Sequence, residues 1–382
     1  MRLGDCGKTN LHTYSDKEKW SLIRYLDTGS ITEGRIDEIQ TLYPGVDKIP
    51  SRARRKASVG DILFSTVRPN QKHYGIIEAR TENLLVSTGF TVVTVDTTIA
   101  DPYFIYYYLT QSSVIESLQA IAEQSTSTYP SIKPSDIEDI ELDLPELETQ
   151  KKIGSTLRML DRKMALNEEI NDNLQQQAAA LFSSLYDRTN TEVRFTDLIQ
   201  ILGGGTPKTG ENTYWNGNIA FFTPKDVGTP YTLITEKTIT EEGLSHCNSR
   251  LYPVNTVFVT ARGTVGKVGM SGVPMAMNQS CYALVGKETH QLLVYFYTLK
   301  AVDRLKHKAS GAVFDAITTR DFESEQIMKL SDDDAKAFLC IAEPMFQKVL
   351  NNCIENLRLS TLRDSLLPKL MSGEVDVSAV QL

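Results

Sequence analysis

Ile153-Gly154-Ser155-Thr156-Leu157-Arg158-Met159-Leu160-Asp161-Arg162-Lys163-Met164 opens the stretch whose spacing decides how this chain is built. Apolar or small residues recur at Ile153, Leu157, Leu160 and Met164, then at Leu174, Ala178, Leu181 and Leu185, in alternating steps of four and three. That is heptad spacing, the mark of a coiled-coil seam. No proline interrupts 148–186, so one long helix is predicted there. Asn167 and Asn171 continue the seam across its middle, where buried amides would cost stability and fix register. The alternative is that the helix rotates there and Leu166 and Ile170 take over.

Working outward, a second stripe runs through Phe338, Ile341, Met345 or Phe346, Val349 or Leu350, Ile354 and Leu357. It predicts a helix from about Asp333 to Leu367, with Pro368 as its stop. Helices of about 35–38 residues are roughly 55 Å long. Neither could bury its stripe against one small globular segment, so the two are expected to pair, parallel or antiparallel. The pairing residues would be Leu157, Leu160, Met164, Asn167, Ile170, Leu174 and Leu181 on the first helix. On the second they would be Phe346, Leu350, Ile354 and Leu357.

Each long helix follows a segment that occurs twice. Arg2-Leu3-Gly4-Asp5 returns as Arg194-Phe195-Thr196-Asp197, and Asp61-Ile62-Leu63-Phe64-Ser65-Thr66 as Thr256-Val257-Phe258-Val259-Thr260-Ala261. The aromatic patch 103–109 returns as 292–297, Ile132-x-x-x-Asp136 as Ile317-x-x-x-Asp321, and Leu166-Asn167 as Leu350-Asn351. The order is kept and the interval is nearly constant, which is the evidence for an internal repeat. Within each copy, β-branched runs (60–66, 84–95; 254–260, 281–285) read as strands, while 102–122, after Asp101-Pro102, and 289–308 read as helices. The fold class is therefore α+β. The predicted segments are 1–145 and 189–332 as globular domains, 146–188 as the central helix, and 333–382 as the C-terminal helix and tail. An antiparallel helix pair would relate the copies by a pseudo-twofold axis.

With 382 residues, more than one domain is expected. No apolar run is long enough to span a bilayer and no signal peptide precedes the first segment, so the cytoplasm is the default location. Five scattered cysteines form no C-x-x-C pair, which argues against a zinc site or a disulfide framework and for buried, neutral thiols. The net charge of −8 runs against nucleic-acid binding, although a phosphate backbone responds to a local basic face.

Catalytic motifs are missing. Gly203-Gly204-Gly205-Thr206-Pro207-Lys208-Thr209-Gly210 lacks the Gly-Lys-Ser/Thr ending of a P-loop, though its amides could hold one phosphate. Arg52-Ala53-Arg54-Arg55-Lys56 is the densest basic cluster, placed before the first apolar strand, with Arg68 and Lys72 after it. Lys208, Lys225, Arg250, Arg262 and Lys267 occupy comparable loops in the second copy. Arg and Lys on loops of a rigid sheet suit phosphates and guanine edges, and Asn278-Gln279 suits adenine. For any single residue a solvated surface is the blander reading. The DNA-contact candidates are thus Arg52, Arg54, Arg55, Lys56, Arg68, Lys72, Lys208, Lys225, Arg262, Lys267, Asn278 and Gln279.

Leu144-Pro145-Glu146-Leu147-Glu148-Thr149-Gln150-Lys151-Lys152-Ile153, leading to Leu166-Asn167-Glu168-Glu169-Ile170-Asn171-Asp172-Asn173-Leu174, resembles the central conserved helix of type I restriction-modification specificity subunits. The run 362–374 is similar to the ending of many members. Gly204-Gly205-Thr206-Pro207 with Thr223-Pro224-Lys225-Asp226 resembles the opening of a target recognition domain. Gly60-Asp61-Ile62-Leu63 with 65–69, and 262–267, are further matches. The first copy has Gly7-Lys8-Thr9-Asn10-Leu11-His12 in place of Gly-Gly-Thr-Pro, and Ser331-Asp332-Asp333-Asp334 lacks the Leu-Pro that precedes the first helix.

The resemblance implies two tandem target recognition domains, separated by two long antiparallel helices, that read the halves of a split, asymmetric DNA sequence. It implies a non-catalytic subunit assembled with two methyltransferase subunits and with restriction/translocase subunits. S-adenosylmethionine, Mg and ATP would belong to those partners and none to this chain. A coiled-coil scaffold that binds no DNA is the competing expectation. An intrinsically active DNA enzyme is opposed by the missing motifs.

Overall fold

Arg2 and Arg194 open their segments in the same way: each backbone N–H donates to the aspartate three residues on, Asp5 Oδ2 at 2.8 Å and Asp197 Oδ2 at 3.3 Å. The carboxylate satisfies an amide that a helix start would otherwise leave unpaired. The computed structural model describes residues 1–125, 129–228, 230–308 and 316–380. They fall into two compact units: unit 1 comprises Met1–Lys163 and Leu359–Leu382, and unit 2 comprises Met164–Arg358. The division passes through both long helices and not, as the sequence suggested, at their ends.

In unit 1, α1 (Leu3–Cys6) precedes β1 (Gly7–Thr9), β2 (Ile23–Leu26), β3 (Ile31–Thr32), β4 (Arg35–Ile36), β5 (Gln40–Leu42), β6 (Ala53–Lys56), β7 (Ile62–Ser65), β8 (Tyr74–Ile76), β9 (Leu84–Ser87) and β10 (Phe90–Val95). Two four-stranded sheets result, β1-β10-β7-β8 and β5-β2-β9-β6, beside the β3–β4 hairpin. The helix expected over 102–122 is two helices, α2 (Pro102–Leu109) and α3 (Ser112–Glu123). Asp101 caps the first, accepting from the Phe104 N–H at 3.0 Å. The break falls at Thr110 and Gln111, which bond the Tyr107 and Tyr108 carbonyls with their own side chains. Then come α4 (Pro134–Glu138) and α5 (Leu147–Tyr186).

Unit 2 repeats the plan with β11 (Glu192–Arg194), α6 (Phe195–Leu198), β12 (Ile199–Gly203), β13 (Trp215–Phe222), β14 (Tyr231–Thr232), β15 (Lys237–Ile239), α7 (Glu241–Ser245), β16 (Val257–Thr260), β17 (Val268–Ser271), β18 (Met275–Met277) and β19 (Cys281–Gly286). α8 (Gln291–Lys308), α9 (Thr319–Ser324), β20 (Gln326–Met328) and α10 (Asp332–Met371) follow. Its sheets are β12-β19-β16-β17-β14, β15-β13-β18 and β11-β20. The match to unit 1 is one of topology. β10 lies between β1 and β7 as β19 lies between β12 and β16, and the parallel pair β2–β9 matches β13–β18.

The predicted seam forms. In unit 2 Asn167 meets Asn356 and Asn171 meets Asn352, so numbers rise on α5 as they fall on α10 and the pair is antiparallel. Asn167 and Asn171 are buried while Leu166 stays 51% exposed, which decides between the two sequence readings. Leu174, Leu181, Phe346, Leu350 and Ile354 pack in one apolar cluster with Ala178 and Phe182. Met164, Ile170 and Leu357 are half-buried at its flanks. In unit 1 Leu157 joins Ile153, Leu367 and Leu370 in the core, and Leu160 is buried as well.

Two expectations for α10 fail. Ile341 is 48% exposed, and Ala342 takes its place in the seam, stepping by fours from Phe338 to Phe346. Pro368 does not end the helix, which runs to Met371 and also passes Pro344. Both prolines lie on exposed positions, as do Cys340 and Asp364, whose carbonyls lose their helical donors and are left to water. Burial of Leu370 holds the last turn in place.

Candidate nucleic-acid interface

In unit 2, four separated stretches converge at one end of the sheets. Gly204 lies so close to the backbone oxygen of Asn278 that a Cβ there would collide with it, and the Gly205 N–H donates to the Met277 carbonyl at 3.1 Å. Thr206 donates its hydroxyl to Gln279 Oε1. The Gly-Gly-Thr segment is therefore a brace for the Asn278-Gln279 loop. Asn278 is fixed again through its own N–H to the Phe222 carbonyl at 2.9 Å, while its Oδ1 accepts from the Ser280 N–H at 3.0 Å. Its Nδ2 has no hydrogen-bond partner among the described residues.

Asp226 organises the next stretch. Its Oδ2 accepts from the Thr223 N–H and hydroxyl at 2.7 and 2.6 Å, and its Oδ1 from the Glu236 N–H at 2.8 Å. This sets Glu236 beside Lys225, with 3.5 Å between Nζ and Oε2. Arg262, just beyond β16, is exposed, and Gly263 turns the chain after it with φ 82°. Lys225, Lys237, Arg262 and Asn278 thus line one cleft of about 360 Å³. Lys208 and Lys267 are exposed but do not line it. Lys237 was missed by sequence reasoning. Its only signal was adjacency to Glu236, and its ammonium stands 5.7 Å from the Trp215 ring.

In unit 1 the basic cluster is not a loop. It forms strand β6, bonded to β9 on one side and to 12–14 on the other, where the Lys56 N–H donates to the His12 carbonyl and the Tyr14 N–H to the Arg54 carbonyl. Strand alternation with a bulge between Ala53 and Arg55 separates the side chains. Arg52 is exposed, and Arg54 lines a cleft with Tyr14 and Trp20. Arg55 is half-buried with its Nε unpaired, and burial lowers its pKa. Lys56 meets Glu18 at 2.5 Å and stands 5.2 Å from the Trp20 ring, and its hydrogen bond holds the Glu18 carboxyl below the usual range. Arg68 packs over the exposed Tyr129 ring at 5.2 Å, and Lys72 meets Glu33 at 2.5 Å.

Among the described residues no group of three or more His, Cys, Asp or Glu could hold a metal, and no helix is long and apolar enough to cross a membrane. Burial raises the thiol pKa of Cys6, Cys353 and Cys281, the last to about 12, while Cys340 is exposed.

Two repeated α+β units, with arginine, lysines and a side-chain amide brought into one cleft of unit 2, suit a sequence-reading DNA-binding protein. Residues 53–176 and 188–329 match the model of the type I restriction modification DNA specificity domain, and the chain belongs to that family. It is 24% identical to the type I restriction enzyme HindI specificity subunit of Haemophilus influenzae, over 98% of each chain. It is 32% identical to the EcoR124I/EcoR124II specificity subunit of Escherichia coli over 37% of each. The crystal structure of the S subunit from M. genitalium shares the fold, with a TM-score of 0.62 at 16% identity over 97% of this chain and 95% of that one.

Proposed function

We propose that this chain is the specificity subunit of a type I restriction-modification enzyme. In this reading each unit recognises one half of a bipartite, asymmetric DNA target, and the chain directs partner methyltransferase and endonuclease subunits to it. The observation that carries the reading is the convergence of Lys225, Arg262 and Asn278 from three loops onto one cleft. Cations position a phosphate backbone and a fixed amide reads a base edge. A coiled-coil scaffold would have no need of that convergence. The chain itself is non-catalytic in this proposal and acts in the cytoplasm. Two methyltransferase subunits bind it, and S-adenosylmethionine, Mg and ATP are used by the partners.

The test is a map of methylated adenines in the host genome with and without this gene. A split motif that loses methylation when the gene is removed is the expected result; an unchanged map would overturn the proposal. Binding of the chain together with its methyltransferase partner should also weaken steeply as salt is raised.

A further inference from the structure

Of the five candidate lysines, three are already occupied. Lys56 is held by Glu18, Lys72 by Glu33 and Lys225 by Glu236. The exposed arginines Arg52 and Arg262, and the lysines Lys208 and Lys267, have no such partner among the described residues. Each of the three glutamates is itself pinned. Glu18 Oε1 accepts from the Ser15 N–H at 3.0 Å while Oε2 takes Lys56. Glu33 sits in the β3–β4 turn at φ 48°, with its N–H on the Lys72 carbonyl at 2.9 Å. Glu236 is bonded through its N–H to Asp226. The carboxylates come from three unrelated loops and occur in both units, so one local accident does not produce the pattern.

Taking the DNA-binding reading as its basis, we infer that Glu18, Glu33 and Glu236 are phosphate placeholders that limit how tightly the chain holds DNA. A carboxylate and a phosphate oxygen present the same acceptor to an ammonium group. Each latched lysine therefore reaches a DNA phosphate only by giving up a carboxylate, and the freed carboxylate then takes up a cation from solution. That uptake offsets part of the counterion release that drives association. In unit 2 the exchange takes place in the cleft itself, which Lys225, Glu236, Lys237, Arg262 and Asn278 all line. The consequence is a chain whose non-selective hold on DNA is weak, so that occupancy depends on contacts to bases.

The experiment uses the full chain with its methyltransferase partner and a short random-sequence duplex, with affinity measured across a salt series. The variants are Glu236→Gln in unit 2 and the pair Glu18→Gln and Glu33→Gln in unit 1. Glu38→Gln and Glu242→Gln, exposed and outside any latch, are controls for net charge alone. Thermal melts check that each variant is folded, and a fault in one unit leaves the other to test the idea. Each latch variant should bind tighter by up to about fivefold per glutamate. Its salt slope should steepen by up to about 0.9 per latch, and the controls should do neither. The gain from Glu236→Gln should vanish when Lys225→Gln is added. Unchanged or weaker binding in folded latch variants, or an equal gain in the controls, overturns the inference while the DNA-binding reading stands. Absence of salt-dependent binding by the wild-type chain together with its methyltransferase partner overturns both.

Discussion

Asn352 donates its side-chain amide to Asn171 Oδ1 at 2.8 Å across the helix pair of unit 2, and both side chains are buried. One layer away Asn167 donates to Asn356 Oδ1 at 2.8 Å, and Asn356 donates in turn to the Met164 carbonyl at 3.1 Å. Sliding either helix by one turn would bury amides against apolar partners, so the ladder fixes register.

Asn352→Leu alone should destabilise the chain by about 1–3 kcal/mol, because the buried Asn171 carbonyl loses its donor. The double change Asn171→Leu and Asn352→Leu should recover most of that loss or exceed wild type, since both polar groups then leave the seam. Denaturant unfolding of the wild type and the two variants measures this. A double variant weaker than the single would show that the amides supply net stability as well as register.

In unit 1 the joint between globular part and helices adds an ion pair to its apolar contacts. Asp161 on α5 accepts from the Tyr107 hydroxyl at 2.6 Å and from Arg363 Nη1 on α10 at 2.8 Å. Burial opposes the Arg363 charge, but Asp161 and Asp364 together outweigh it and hold the guanidinium pKa above its ordinary value. Arg363→Met should cost about 1–3 kcal/mol, less than for a fully buried pair because both side chains keep some contact with water. Adding Asp161→Asn should return part of it in a double-mutant cycle. Unit 2 closes its joint with rings, Phe182 stacked on Phe296 at 5.0 Å and edge-on to Phe338 at 5.5 Å, so its stability should be insensitive to salt there.

Leu370→Ala removes a side chain buried with Leu157 and Ile153, and should cost about 2–5 kcal/mol. The loss belongs to unit 1 although residue 370 lies beyond the whole of unit 2 in sequence. Hydrogen exchange should therefore quicken in β7, β10 and α2 while β16 and β19 keep their protection. Faster exchange in unit 2 alone would contradict the division.

Arg262→Ala should weaken binding to the methylated target by about 1–3 kcal/mol and relax selectivity at one position of a half-site, as expected of a guanine contact. Lys208→Ala, outside the cleft, should weaken binding evenly across sequences and reduce the salt slope by about 1. Competition binding against single-base variants of the target separates the two.

The parts of this fold set by local rules were legible in the sequence. Heptad steps gave α5, the Arg-x-x-Asp starts gave the repeat, and Asp101-Pro102 gave the start of α2. What distant contacts decide was not. The strands before residue 60 are two to four residues long and leave too little periodicity to detect. Ile341 and Ala342 both suit a seam by composition, and only the fit against the rings around Phe182 puts the smaller residue inside. The cluster Arg52–Lys56 read as one positive patch, but β6 sends its side chains to different environments. Its neutralising partner Glu18 comes from another loop, and no spacing rule predicts that meeting. For the remaining candidates the sequence supplied residue type, and the sheets supplied the convergence of Lys225, Arg262 and Asn278.

Unit 1 is written in two pieces, Met1–Lys163 and Leu359–Leu382, with unit 2 uninterrupted between them. During synthesis, then, the first unit to be started is the last to be finished. Unit 2 has all its residues before Leu367 and Leu370 leave the ribosome, and until they do Ile153 and Leu157 have no partner on the second helix. A chain halted anywhere in 164–358 carries an open apolar seam at Ile153 and Leu157, the sort of surface that chaperones and proteases find. Translation thus becomes its own proofreader: the earliest half closes only when the latest residues arrive.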